Sequence, residues 1–163
     1  YGFKMAGFNC IATNELIPRR IEIQKFNNKC KYDNGYICGD ITQEKTKQEL
    51  FSQIDFWKKN ENLKRVDVLI ATPPCQGMSV ANHKKTKDEI VRNSLVIESI
   101  KIIKEINPKF FIFENVPAFM KTICTDVDGT EKSISEAIEY NLGESYSYIS
   151  RVINFKNYDT IYI

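Results

Sequence analysis

At 163 residues, 42% hydrophobic and 27% charged, the chain has the length of one domain with a core of its own. It has no apolar run near the length of a membrane span and no amino-terminal signal pattern. A formal net charge of +2 is too mild to announce nucleic-acid binding, which goes with a strong basic patch, and five cysteines without a C-x-x-C pair suggest neither a disulfide framework nor a zinc site. A reducing, cytoplasmic compartment fits.

Apolar strands alternate with helical patterns along the chain. Residues 10–13 predict a short strand ending in Asn14-Glu15, and Pro18 suits the first turn of a helix running to about residue 26. Residues 43–54 predict a second helix, 57–65 a polar loop and 66–71 a strand. A polar stretch from Val80 to about Ile90 contains His83-Lys84-Lys85-Thr86-Lys87 and lacks periodicity, which predicts a mobile loop. Such a run is either a solvated face or a set of phosphate contacts. Asn93 or Ser94 can cap a helix whose Val96, Ile100, Ile103 and Asn107 recur at helical spacing, closed by Pro108. A strand over 110–113 follows, then an amphipathic helix marked by Ile134, Ala137, Ile138 and Leu142, and a strand over 146–155. This βαβ rhythm with short, fully apolar strands predicts an α/β fold: a doubly wound, mostly parallel sheet with helices on both faces. No internal repeat or linker divides the chain, so residues 1–163 read as one domain.

Two strand ends carry chemistry. The run 66–71 stops at Pro73-Pro74, residues that cannot donate to a sheet ladder, and delivers Cys75-Gln76-Gly77-Met78-Ser79; the run 110–113 delivers Glu114-Asn115-Val116-Pro117. Free cysteine is usually a small buried hydrophobe and a strand-terminal Glu is usually solvated. Together they place a thiol and an acid at the carboxyl ends of strands, where ligands bind in such sheets.

Pro73-Pro74-Cys75-Gln76-Gly77-Met78-Ser79, then Arg92-Asn93-Ser94-Leu95, then Glu114-Asn115-Val116 is similar to the ordered motif series of the cytosine-C5 DNA methyltransferases. Upstream, Ala6-Gly7-Phe8, Asn14-Glu15 and Gly39-Asp40-Ile41-Thr42 resemble the family's cofactor-binding segments in the same order. The resemblance covers nearly the whole chain. It implies a Rossmann-like class I methyltransferase fold and S-adenosylmethionine as cofactor. Glu15 would accept both ribose hydroxyls, Leu16 would lie beside the adenine, Asp40 and Ile41 would read the adenine edge, and Pro74 and Leu95 would line the cleft. Cys75 would be the nucleophile on C6 of an extruded cytosine, its thiolate favoured by the basic loop. Glu114 would serve N3 as an acid, a role that requires burial by Phe113 and Val116. Gln76 and Ser79 would touch the DNA, and Arg92 would meet a phosphate or brace Glu114.

The chain departs from the family in two places. It begins after the position of the Phe-x-Gly-x-Gly loop, which Tyr1-Gly2-Phe3 cannot replace, and it lacks the Gln-x-Arg-x-Arg motif expected at the Thr160/Ile161 junction, as well as the target-recognition domain. The expectation is a partial catalytic domain of a bacterial modification enzyme acting on double-stranded DNA, with a cognate restriction endonuclease as partner. A transfer-RNA cytosine-C5 methyltransferase and a non-catalytic partner subunit are the alternatives.

Overall fold

The computed structural model describes residues 2–74 and 87–157, with the backbone alone for 87–94 and 155. In chain order the elements are α1 (Gly2–Met5), β1 (Thr13–Glu15), α2 (Pro18–Phe26), β2 (Tyr36–Cys38), α3 (Glu44–Asn60), β3 (Val68–Ala71), α4 (Lys87–Ile106), β4 (Phe110–Phe113), β5 (Ile123–Thr125), β6 (Glu131–Ser133) and α5 (Ile134–Leu142). The described strands form three two-stranded sheets: β1 with β2 and β3 with β4, both parallel, and the antiparallel hairpin of β5 and β6. The architecture is therefore α/β, in small sheets.

Apolar side chains of α4 and α5 build the core. Val96, Ile97, Ile100 and Ile103 meet Ile134, Ala137, Ile138 and Leu142, joined by Phe119 and Cys124. Strands β3 and β4 present Leu69, Phe111 and Phe113 to this cluster, as the period of two along a strand requires. Their other face carries Ile70, Phe110 and Ile112, all exposed.

Behind α4, three contacts fix the start of β4. The Arg65 guanidinium donates to the Asn107 carbonyl at 2.6 Å, to Asn107 Oδ1 at 2.7 Å and to the Pro108 carbonyl at 2.8 Å. These bonds satisfy carbonyls left open where α4 ends. Asn107 has a φ of 49°, the left-handed conformation that closes helices and that Asn tolerates.

Several sequence expectations change. Residues 10–13 are not a continuous strand: Cys10 makes one parallel bridge to Cys30, and the strand proper is Thr13–Glu15. The polar loop expected from residue 57 is helix as far as Asn60, because Trp57 is buried and stacks edge-on against Tyr32, while Lys58 and Lys59 suit the helix C-terminus. Asn93 and Ser94 do not cap α4, which already runs from Lys87, so 87–90 is helix rather than loop. Residues 80–86 and the 160/161 junction lie outside the described residues. The strand expected over 146–155 has no ladder partner among the described residues. Instead Tyr146 and Tyr148 reach the core side, with Tyr146 donating to the Pro108 carbonyl at 2.7 Å and Tyr148 lying 3.1 Å from Ser135 Oγ, while Ile149, Val152 and Ile153 are exposed.

The β5–β6 hairpin and α5 share one electrostatic knot. Lys132 Nζ lies 2.7 Å from Asp126 Oδ2, 2.6 Å from Asp128 Oδ2 and 3.9 Å from the centre of the Tyr140 ring. Gly129, with φ of 81°, makes the turn that brings the two aspartates together. Burial pushes the Asp126 carboxyl up, but Lys132, the Val127 N–H and Asn141 outweigh it and hold the group below its ordinary range. A carboxyl depressed on folding gives stability that is present above its unfolded value near ~3.9 and lost as pH falls through the lower folded value. Lys132→Met leaves Asp126 with two neutral donors, so the melting temperature at pH 7 should fall by about 5 °C. Between pH 5 and pH 3 the variant should lose less stability than wild type, as thermal melts at each pH will read.

Candidate active site

Two parallel strand ends meet at the candidate reaction centre. Strands β3 and β4 are in register from Val68↔Phe110 to Ala71↔Phe113, and the Glu114 N–H donates to the Ala71 carbonyl at 3.2 Å. There the ladder ends, because Pro73 and Pro74 have no N–H to offer. Asn115 takes over the connection: its Nδ2 donates to the Pro73 carbonyl at 2.7 Å, while its Oδ1 accepts from the Val116 N–H at 2.9 Å. One side chain thus ties the proline turn to the turn that carries Glu114. Pro73 is buried and Pro74 exposed.

Glu114 is itself exposed, which corrects the expectation that Phe113 and Val116 bury it. Phe113 turns inward onto Phe119 and Phe111, as its position on the core side of β4 dictates, and Val116 is 41% exposed. Cys75, Gln76 and Ser79 lie outside the described residues, and of Arg92 only its place in α4 is described. Leu95 is half-buried on α4, and its carbonyl accepts a hydrogen bond from Ser99.

A second pair of strands carries Glu15 at the end of β1 and leads into Asp40 after β2. Glu15 ends β1 opposite Cys38 of β2. Its carboxylate accepts from the Ile17 N–H at 3.1 Å and from Arg20 Nη1 at 3.3 Å, so the first turn of α2 orients it. Leu16, next in sequence, is 64% exposed. Asp40 closes an Asx turn, its Oδ1 accepting from both the N–H and the hydroxyl of Thr42 at 2.9 and 2.8 Å, and Ile41 is half-buried. A Cβ on Gly39 would stand 2.6 Å from Thr46 Oγ1, so only glycine lets residues 39–41 lie this close to α3.

Two asparagines, Asn14 and Asn115, have roles that the sequence alone does not disclose. Asn14 donates through Nδ2 to the carbonyls of Gly39 at 2.9 Å and Ile37 at 3.3 Å, fastening Glu15's strand to the segment leading into Asp40. Asn115 does the same between the other two strand ends. Each adjoins an acidic residue at a strand end, and a short amide with two donors in that position is the signal that points to it.

Among the described residues no group of His, Cys, Asp and Glu could hold a metal ion, and no helix is long and apolar enough to cross a membrane. The sequence matches the family model for C-5 cytosine-specific DNA methylase over residues 1–161. It is 30% identical to type II methyltransferase M1.HgaI of Avibacterium volantium, an alignment covering 98% of this chain and 43% of the relative. It is 34% identical to type II methyltransferase M.DdeI of Desulfomicrobium norvegicum, covering 71% and 24%. With type II methyltransferase M.AquIA of Picosynechococcus the identity is 29%, over 90% of this chain and 55% of the relative. The chain thus spans about half or less of the curated relatives it matches, and no solved structure matches it.

Proposed function

The chain belongs to the C-5 cytosine-specific DNA methylases, and from that premise we propose that it supplies the reaction centre of a DNA (cytosine-5-)-methyltransferase acting on double-stranded DNA. The observation that carries this reading is the Asn115 to Pro73 hydrogen bond at 2.7 Å across two registered parallel strands. It holds the residue before Pro74-Cys75 against the turn bearing Glu114, so one nucleobase can be served from both. Cytosine C5 becomes nucleophilic when the Cys75 thiolate adds to C6, forming a carbon–sulfur bond and sending charge toward N3. Glu114 delivers a proton or hydrogen bond to N3. Once C5 has bonded to a methyl group, loss of the C5 proton to solvent re-forms the C5–C6 double bond and expels the Cys75 sulfur as thiolate. The base must leave the duplex stack, at a cost of roughly a few kcal/mol, with Gln76, Ser79 and Arg92 proposed as its DNA contacts.

Members of this family use S-adenosylmethionine, which supplies an electrophilic methyl group when bound. The donor set suits its nucleoside part. Glu15 is a carboxylate fixed by Ile17 and Arg20 at a strand end, Asp40 stands after the adjacent strand, and the exposed Leu16 offers an apolar surface. We assign ribose hydroxyls to Glu15, the adenine face to Leu16, its edge to Asp40 and Ile41, and the cleft wall to Pro74 and Leu95.

For the fold, the finer reading is one doubly wound, mostly parallel sheet with helices on both faces. The parallel β1–β2 and β3–β4 pairs and the open apolar face of Ile70, Phe110 and Ile112 support it. A cognate restriction endonuclease is the functional partner that this reading implies. The test is transfer of labelled methyl from S-adenosylmethionine by the full-length protein to duplex DNA and to transfer RNA. Label in 5-methylcytosine of DNA is expected, and label in transfer RNA alone, or in neither, would overturn the reading.

A further inference from the structure

Outside the proposed reaction centre, two thiols lie together without being bonded. Cys10 and Cys30 are the partners of the parallel bridge that precedes β1, and their sulfurs stand 3.6 Å apart. Neighbouring strands run about 4.8 Å apart, within the 4.4–6.8 Å Cα separation of disulfides, so the sulfurs need only turn toward one another to bond. Cys10 is half-buried and Cys30 buried. We infer that Cys10 and Cys30 are a redox-active dithiol, a modification site at which a low-molecular-weight disulfide closes an intramolecular Cys10–Cys30 bond.

The asymmetry of the pair gives each sulfur its part. The hydrogen bond with Cys30 brings the Cys10 thiol down to about 7, with burial opposing and Lys29 assisting, so much of it is thiolate at neutral pH. The Cys30 thiol is pushed up, first by that same hydrogen bond and then by burial. Cys10 therefore attacks first: its thiolate bonds to one sulfur of the co-reactant, whose S–S bond breaks and releases one thiolate. The Cys30 sulfur, giving up its proton, then attacks the Cys10 sulfur, breaking the mixed disulfide and releasing the second thiolate. Two protein thiols are oxidised and one small disulfide is reduced to two thiols. Because Cys30 already touches the Cys10 sulfur, the second step is intramolecular and the mixed disulfide does not accumulate. The closed bond encircles residues 10–30, including Asn14, Glu15 and Arg20, and fixes β1 against the chain leading to β2.

The experiment treats the full-length protein with glutathione disulfide and follows intact mass, a non-reducing peptide map and thermal melting. Wild type should lose two hydrogens, yield a Cys10–Cys30 cross-linked peptide and melt about 5 °C higher, since a bridge closing a loop of this size constrains the unfolded chain. Cys30→Ser, which keeps a hydroxyl to donate to the Cys10 sulfur but cannot form a disulfide, should instead keep glutathione on Cys10. A stable glutathione adduct on wild-type Cys10, a link through Cys38, Cys75 or Cys124, or retention of all thiols would overturn the inference. Should Cys30→Ser fail to fold, the wild-type mass and peptide map decide the matter alone.

Discussion

Cys75→Ser in the full-length protein should lower methyl transfer to DNA by roughly 10³-fold or more and abolish covalent capture of DNA carrying 5-fluorocytosine. A serine hydroxyl stays protonated at neutral pH, whereas a cysteine thiol with an ordinary pKa near ~8.5 is partly thiolate and is readily shifted further. Addition to C6 therefore loses its nucleophile, and removing one member of a group that acts as a unit costs most of the rate. Affinity for DNA and for S-adenosylmethionine should survive, because the contacts proposed for them lie on other residues. Fluorine at C5 cannot leave as the proton does, so wild type should remain joined to the base in denaturant and the variant should not. Near wild-type methylation by Cys75→Ser, or an adduct mapping to Cys10, Cys30, Cys38 or Cys124, would sink the mechanism.

What the sequence discloses of this fold follows from how many residues each element has to signal itself. Phe110–Phe113 is read easily because four apolar residues stand between Pro108 and an acidic turn, and Pro18 announces α2 by its fixed φ. The strands β2, β5 and β6 have three residues each, too few to show a period. Helix α3 outruns its apolar pattern because a single tryptophan, Trp57, anchors its last turn. The pattern over 146–155 fails for the opposite reason: its apolar residues look like a strand, but a strand also needs a partner, and two tyrosine hydroxyls pin the segment elsewhere.

The candidate site divides in the same way. Acidic residues at strand ends are legible because their position after an apolar run is itself the signal, as with Glu15 and Glu114. Asn14 and Asn115 act across the sheet, toward carbonyls 25 and 42 residues away, and no local window contains both ends of such a bond. Exposure of Glu114 is illegible for a related reason. Phe113 beside it looks like cover, yet the alternation of β4 sends that ring to the core.

That exposure shapes what Glu114→Gln should do. The proposed role asks Glu114 to donate to N3, and among the described residues Glu114 is exposed. In the proposed complex an extruded base stacked into the cleft would exclude water from Glu114, as the donor role requires. Glutamine keeps the size and one donor but has no acidic proton to transfer. The maximal rate of methylation should fall by about 10²–10⁴-fold, the range of a lost general acid, while KM for S-adenosylmethionine stays within about threefold, since a group acting on the chemical step leaves cofactor binding alone. Trapping on 5-fluorocytosine should slow in parallel and still map to Cys75, because Glu114 assists the addition without forming the bond. Single-turnover kinetics with both DNAs would check this. A variant that methylates at the wild-type rate, or one whose defect lies wholly in KM for the cofactor, would remove Glu114 from the reaction and leave its turn as a support for Asn115.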